Sequence, residues 1–218
     1  MVFLRLARIH QSHDHIFPDG LLAGMTANPN TSEEGSLQPV FQPIFGESWQ
    51  YLPVVLKKHY ANRAYSDDLA TVESTLNVSC GRVFRLLRPL FHFLGSIPTY
   101  DGHDVPVTVN FRSTPASKEF HFDRIFHFPG KKPWRFRLKM IQVDHNEVIE
   151  IMRFGFAWRL YYEWDDDKVV LRHKGYGIRI LSTLIPLPLT AILGRGYTEE
   201  TAIDDDSFAM HVDISHPW

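Results

Sequence analysis

The chain has 218 residues, 44% hydrophobic and 22% charged, which fits one globular domain with a substantial core and argues against a second. Its 23 basic and 25 acidic residues leave a formal charge of −2, so no net field draws it to nucleic acid or acidic lipid. The single Cys80 excludes an internal disulfide and suits a reducing compartment.

Residues 1–38 end in "GMTANPNTSEEGSLQ", a polar stretch without periodicity, and read as disordered or loosely ordered. Arg5 and Arg8 interrupt the N-terminal apolar run, which argues against a signal peptide. Met25, directly after "LLAG", offers a second start that would leave residues 1–24 outside the protein. A single α+β domain is expected over 39–218. It opens with Phe41, Phe45, Trp49, Leu52 and Leu56 at helical spacing, and Pro43 and Pro53 divide this stretch into two short helices.

A first strand is expected at 70–79, where Val72, Ser74, Leu76 and Val78 alternate with polar residues. The stretch 82–94 follows as a helix kinked at Pro89 and stopped by Gly95. From there the pattern is β throughout: 105–113, 118–128, 135–143, 147–154, 156–164, 168–181, 195–203 and 207–214. Short polar links such as "DHN" and "DDD" make successive strands antiparallel neighbours, and Gly155 marks a bulge or bend. A meander this long is expected to curl into a half-barrel or barrel, lipocalin-like or helix-grip-like, with the 82–94 helix as its plug. No run approaches the ~20 apolar residues of a transmembrane helix, because Pro186 and Pro188 cut the longest one, and the cytoplasm is the default location.

Two candidate sites emerge from strand parity. On one side of 118–128 lie His121, Asp123 and His127, whose ends are six residues apart, too far for one metal, so a solvent face and no metal are expected. On the other lie Phe120, Phe122, Phe126 and Phe128, with Arg124 in their midst. In 147–154 the same parity sets Glu150 among Val148, Met152 and Phe154. A charge buried alone costs several kcal/mol, so Arg124 and Glu150 are the natural partners, two strands apart and roughly 10 Å across the sheet. No nucleophile elbow, phosphate loop or dinucleotide fingerprint occurs, so no catalytic residue and no cofactor are assigned. The basic residues Lys131, Lys132, Arg135, Arg137 and Lys139 read as a solvated hairpin face able to touch an anionic surface.

Taken together, "FDRIF", "EVIEIMRFG" and "IPLP", with the opening "FGESWQYLPVVLKKHY", resemble a bacterial family described as domain of unknown function 4166, over residues 38–218. Phe122, Arg124 and Phe126, Glu150 with Phe154 and Gly155, and Ile185–Pro188 match its motifs, Ile185 standing where the family has leucine. The resemblance implies a domain that often follows dehydrogenase-like or epimerase-like units, and one cut short here at Trp218. The leading expectation is a module for an apolar or amphipathic small molecule or lipid, held by Arg124, Glu150, Phe122, Phe126, Met152 and Phe154. Its rivals are an accessory or catalytic domain beside a dinucleotide-binding oxidoreductase or epimerase, and a purely structural interaction domain.

Overall fold

Alternating apolar and polar residues produce one antiparallel sheet. It comprises β1 (Val2–His10), β2 (Leu69–Val78), β3 (Gly102–Thr114), β4 (Ser117–Phe126), β5 (Trp134–Asp144) and β6 (Glu147–Ile151). It continues through β7 (Phe156–Asp165), β8 (Lys168–Ile180), β9 (Thr183–Leu187), β10 (Arg195–Ala202) and β11 (Ser207–Ser215). The computed structural model describes residues 2–10 (backbone only), 38–95 and 97–216. Strands β2 to β9 run as a meander, β1 lies between β11 and β2, and β10 pairs with both β11 and β8. The pairing of Tyr197–Glu200 with Val169–Arg172 closes a ring of ten strands, and β9 continues the same edge of β8 beyond it.

The turns follow from their residues. Asp166 and Asp167, both at positive φ, form the mirror-image type of turn that matches strand twist between β7 and β8. Residues 153–155 form a single 3-10 turn between β6 and β7. There Gly155 sits at φ 76°, and a Cβ on it would lie 2.2 Å from the Arg179 carbonyl oxygen, so only glycine fits. On β10, Gly196 faces the barrel, and a Cβ there would lie 1.9 Å from the Trp158 ring.

Helices α1 (Gln42–Phe45) and α2 (Val54–His59) close the barrel end nearest the β3–β4 turn. Phe41 packs 5.3 Å from Phe120 and 5.5 Å from Tyr162 between ring centroids, and His59 lies 4.5 Å from Phe111. The opposite end carries α3 (Arg82–Leu86) and α4 (Arg88–Leu94), broken at Leu87 and seated through the stacked pair Phe84 and Phe91. A short α5 (Thr190–Leu193) precedes β10.

The α+β class, the meander and its curl are as the sequence implies, and several details differ. The 82–94 segment is two short helices rather than one kinked helix, because Pro89 occupies the first turn of α4. It covers one end of the barrel through Phe84 and Phe91, as expected of a plug, while Phe41, His59 and Tyr60 enter from the other end beside α1 and α2. Residues 2–10, expected to be loosely ordered, run as β1, while 11–37, Met25 included, lie outside the described residues, as does Trp218. Strand β9 also goes beyond expectation, since Pro186 is tolerated only on an edge.

Candidate functional site

The barrel interior holds a cavity of about 90 Å³. Its walls are mostly phenylalanine, leucine and methionine, and six ionisable side chains converge on them: Arg124, Glu150, Glu200, His59, Tyr60 and Tyr162. Strand alternation supplies four of these. Arg124 follows Phe122 and precedes Phe126 on the inner face of β4, Glu150 lies on β6, Tyr162 on β7, and Glu200 lies two residues beyond Thr198 on β10. In the ten-strand ring β4 and β10 stand diametrically opposite, so Arg124 and Glu200 look at one another across the lumen. His59 and Tyr60 enter from the end of α2.

Arg124 lies over the face of Phe122, its guanidinium carbon 4.6 Å from the ring centroid. Its side chain forms part of the cavity wall. Its Nε is buried with no hydrogen-bond partner. No carboxylate lies within ion-pair distance of the guanidinium among the described residues; the charges act on one another across the cavity. The register explains this. Arg124 pairs with Phe136 on β5, but Glu150 pairs with Met140, four residues farther along the same strand. That offset adds ~13 Å along the strand to the interstrand separation, so the direct Arg124–Glu150 pair expected from strand order does not form.

The glutamates are held by tyrosines. Tyr60 donates to Glu200 Oε2 at 2.5 Å, and Tyr162 donates to Glu150 Oε1 at 3.4 Å. Burial penalises both carboxylates more than Arg124 and the phenols favour them, and each pKa rises from 4.5 to about 7. Burial, with Arg124 nearby, drives the His59 pKa down to about 3, so the ring is neutral. Its Nε2 lies 3.9 Å from Glu200 Oε1, and its Nδ1 is buried without a partner. Burial also raises both tyrosines well above 10, Glu200 adding to the effect on Tyr60 and Glu150 on Tyr162. Near neutral pH the lumen therefore holds one fixed cation and two carboxyl groups that are each partly protonated. Such a set can accept an oxyanion when the carboxyls are protonated and rejects it when both are charged.

Of the residues singled out in the sequence, Arg124, Glu150, Phe122 and Phe126 line this cavity. Met152 does not: it is buried between the α3–α4 end and the outer surface. Phe154 turns away altogether, because β6 stops at Ile151 and the following turn holds Phe154 at φ 61°, 61% exposed. Strand parity fails at that turn, which removes Phe154 from the expected set. On the outer face Asp123 pairs with Arg135 at 3.1 Å and Arg137 at 3.4 Å. Among the described residues no group of His, Cys, Asp and Glu side chains is arranged to hold a metal ion.

Glu200, His59, Tyr60 and Tyr162 escape the sequence reading. Glu199 and Glu200 are adjacent, so composition cannot say which points inward; Gly196, Thr198 and Ala202 share parity with Glu200 and carry the available signal. A family model described as Domain of unknown function (DUF4166) matches residues 52–218, and the chain belongs to that family. No curated protein and no solved structure matches the chain.

Proposed function

We propose that this member of the DUF4166 family binds a small amphipathic molecule inside the barrel, with an oxyanion head on Arg124 and its apolar part against Phe122 and Met140. The observation that carries this reading is the Arg124 side chain in the cavity wall, with no carboxylate in ion-pair distance among the described residues and its Nε buried without a partner. A cavity of about 90 Å³ is smaller than the ~150 Å³ site that admits benzene and well below the ~300–1,000 Å³ of ordinary ligand pockets. The ligand class is therefore a short-chain carboxylate or a comparably small oxyanion; a long-chain lipid fits only if α1 and α2 move aside.

Protonated Glu150 and Glu200 would donate to the same oxyanion that Arg124 holds. Ionised, they compete with it. Binding should tighten on acidification, by about tenfold between pH 8 and pH 6 if one proton is taken up. Calorimetric titration with acetate, butyrate and hexanoate at both pH values tests this. The expected result is binding of the shorter acids, stronger at pH 6 and absent in Arg124→Met. Absence of binding at every chain length and both pH values would overturn it.

The small volume also favours a second reading, a purely structural cluster that fixes the barrel, and the same null result would leave that reading standing. A role beside a dinucleotide-dependent oxidoreductase or epimerase rests on the sequence resemblance alone. Co-purification with such a partner would be its direct support.

A further inference from the structure

On the outside of the sheet a shallow groove runs past Arg135, Arg137, Lys139, Arg153 and Arg179. Glu119 bridges Lys139 and Arg179 at 3.0 and 3.6 Å, and Asp123 holds Arg135 and Arg137. Five cations thus meet two carboxylates, a local excess that the net charge of the chain conceals. His121 lies in the same groove, where burial and Lys139 lower its pKa.

Apolar side chains stand at the rim of this groove. Phe93 on α4 stacks on Phe154 at 4.9 Å, both exposed, and the Arg153 guanidinium lies 6.0 Å from the Phe154 ring centre. Leu181, at the β8–β9 turn, is 93% exposed, and its carbonyl accepts a hydrogen bond from Arg179 Nε. Leu86 and Leu90 extend the exposed apolar stripe along α3 and α4.

Two of these residues occupy costly backbone. Phe154 has φ 61° and Leu181 φ 56°, in the left-handed region where glycine or asparagine sits with less strain. In each case a turn position suited to a small residue projects a large apolar one into solvent. Scattered surface leucines need no explanation. Two strained apolar tips beside a cationic groove require one, since Leu181 is almost fully exposed and Phe154 stacks on a ring that is itself exposed.

The occupant follows from chemistry. The cation excess selects an anionic partner. Separate protruding tips, in place of one flat apolar patch, suit insertion among lipid head groups, with arginines meeting the phosphates. We propose that this face docks the domain on an anionic lipid surface, with Phe93, Phe154 and Leu181 inserted at head-group level and Arg153 and Arg179 bound to lipid phosphates.

Co-sedimentation of the full chain with phosphatidylcholine vesicles, with and without phosphatidylserine, tests the proposal. Binding should require phosphatidylserine and weaken as salt rises. Arg153→Gln and Arg179→Gln should each lower the vesicle affinity about fivefold. The double variant Phe154→Asn with Leu181→Asn should lower it at least about tenfold. Asparagine tolerates the left-handed conformation, and the relief of strain offsets the loss of the Phe93–Phe154 stack, so that variant should melt within a few degrees of the parent, which separates lost docking from lost folding. No binding to the anionic vesicles overturns the proposal. So does binding that the double variant leaves unchanged, or equal capture by a soluble polyanion such as dextran sulfate.

Discussion

The lumen of the barrel and the outer face near α4 invert the usual distribution of polarity in opposite senses. Inside, Arg124, Glu150 and Glu200 are surrounded by phenylalanine and methionine; outside, Phe93, Phe154 and Leu181 stand in water beside arginines. The two regions tolerate their misplaced groups by different means. The interior relies on mutual support, because tyrosines hold the carboxyls, the field of Arg124 reaches both, and either glutamate can neutralise itself by taking a proton. The exterior relies on local backbone, since Phe154 and Leu181 are fixed by turns with little packing around them. The contrast teaches that coupled groups should respond strongly to pH and to the loss of one member, and uncoupled groups to neither.

The sharpest way to break the contrast is Arg124→Met. Without the guanidinium, Glu150 and Glu200 have no opposing charge in the lumen. At pH 8.5, where both are ionised, urea denaturation should show a loss of ~3–5 kcal/mol. At pH 5.5, where both are protonated, the loss should be much smaller. An equal loss at both pH values would mean that Arg124 acts by packing alone.

Next in size is the proton linkage of the carboxyls. Each folded pKa, about 7, lies above the reference 4.5, so the folded state binds protons more tightly than the unfolded chain. Stability from these groups is complete below pH 4.5 and is lost as pH rises to about 7. Each shift corresponds to at most ~3 kcal/mol. The variant Glu150→Gln should therefore flatten the decline between pH 5 and 8 by up to that amount, measured as the denaturation midpoint against pH. His59 works in the opposite direction: held neutral, it contributes above pH 6.5 and loses that contribution as pH falls towards 3.

A smaller effect is expected from Tyr60→Phe, which removes the donor to Glu200 and should cost ~1.5–3 kcal/mol at pH 8, where the carboxylate is charged. The smallest effect has the opposite sign. Leu181→Gly relieves a left-handed leucine and should raise stability by ~1 kcal/mol, independent of pH. A pH-dependent response at Leu181, or none at Tyr60, would dissolve the distinction between the two regions.

Local pattern made most of the sheet legible, because strand parity and turn chemistry are properties of neighbouring residues. It also identified Arg124 and Glu150 as internal charges. It failed where the answer depends on pairings distant in sequence. Glu200 reaches Arg124 only because the ring closes and sets β10 opposite β4, and the missing Arg124–Glu150 contact follows from a four-residue offset along β5. Phe154 was misplaced for a local reason of another kind: the 3-10 turn that Gly155 permits resets the alternation. Strand β9 was hidden by Pro186, which reads as a breaker in the interior of a sheet and is harmless at an edge.

The pairing of β1 with β11 also has a kinetic meaning. These strands are some two hundred positions apart in sequence, and both flank a sheet whose other neighbours are mostly hairpins. Hairpins form within microseconds, whereas joining such distant segments is slow because the loop entropy is lost before the contact is gained. As the chain leaves the ribosome, β2 to β9 can assemble in order while Arg124 still faces an open trough. Glu200 arrives only with β10, and the seam with β8 then seals around it. Arg124, already opposed by Glu150 within the meander, gains its second carboxylate in the same step that completes the barrel, so refolding intermediates with the meander formed and the seam open should lack the Glu200 part of the coupled titration of the native lumen.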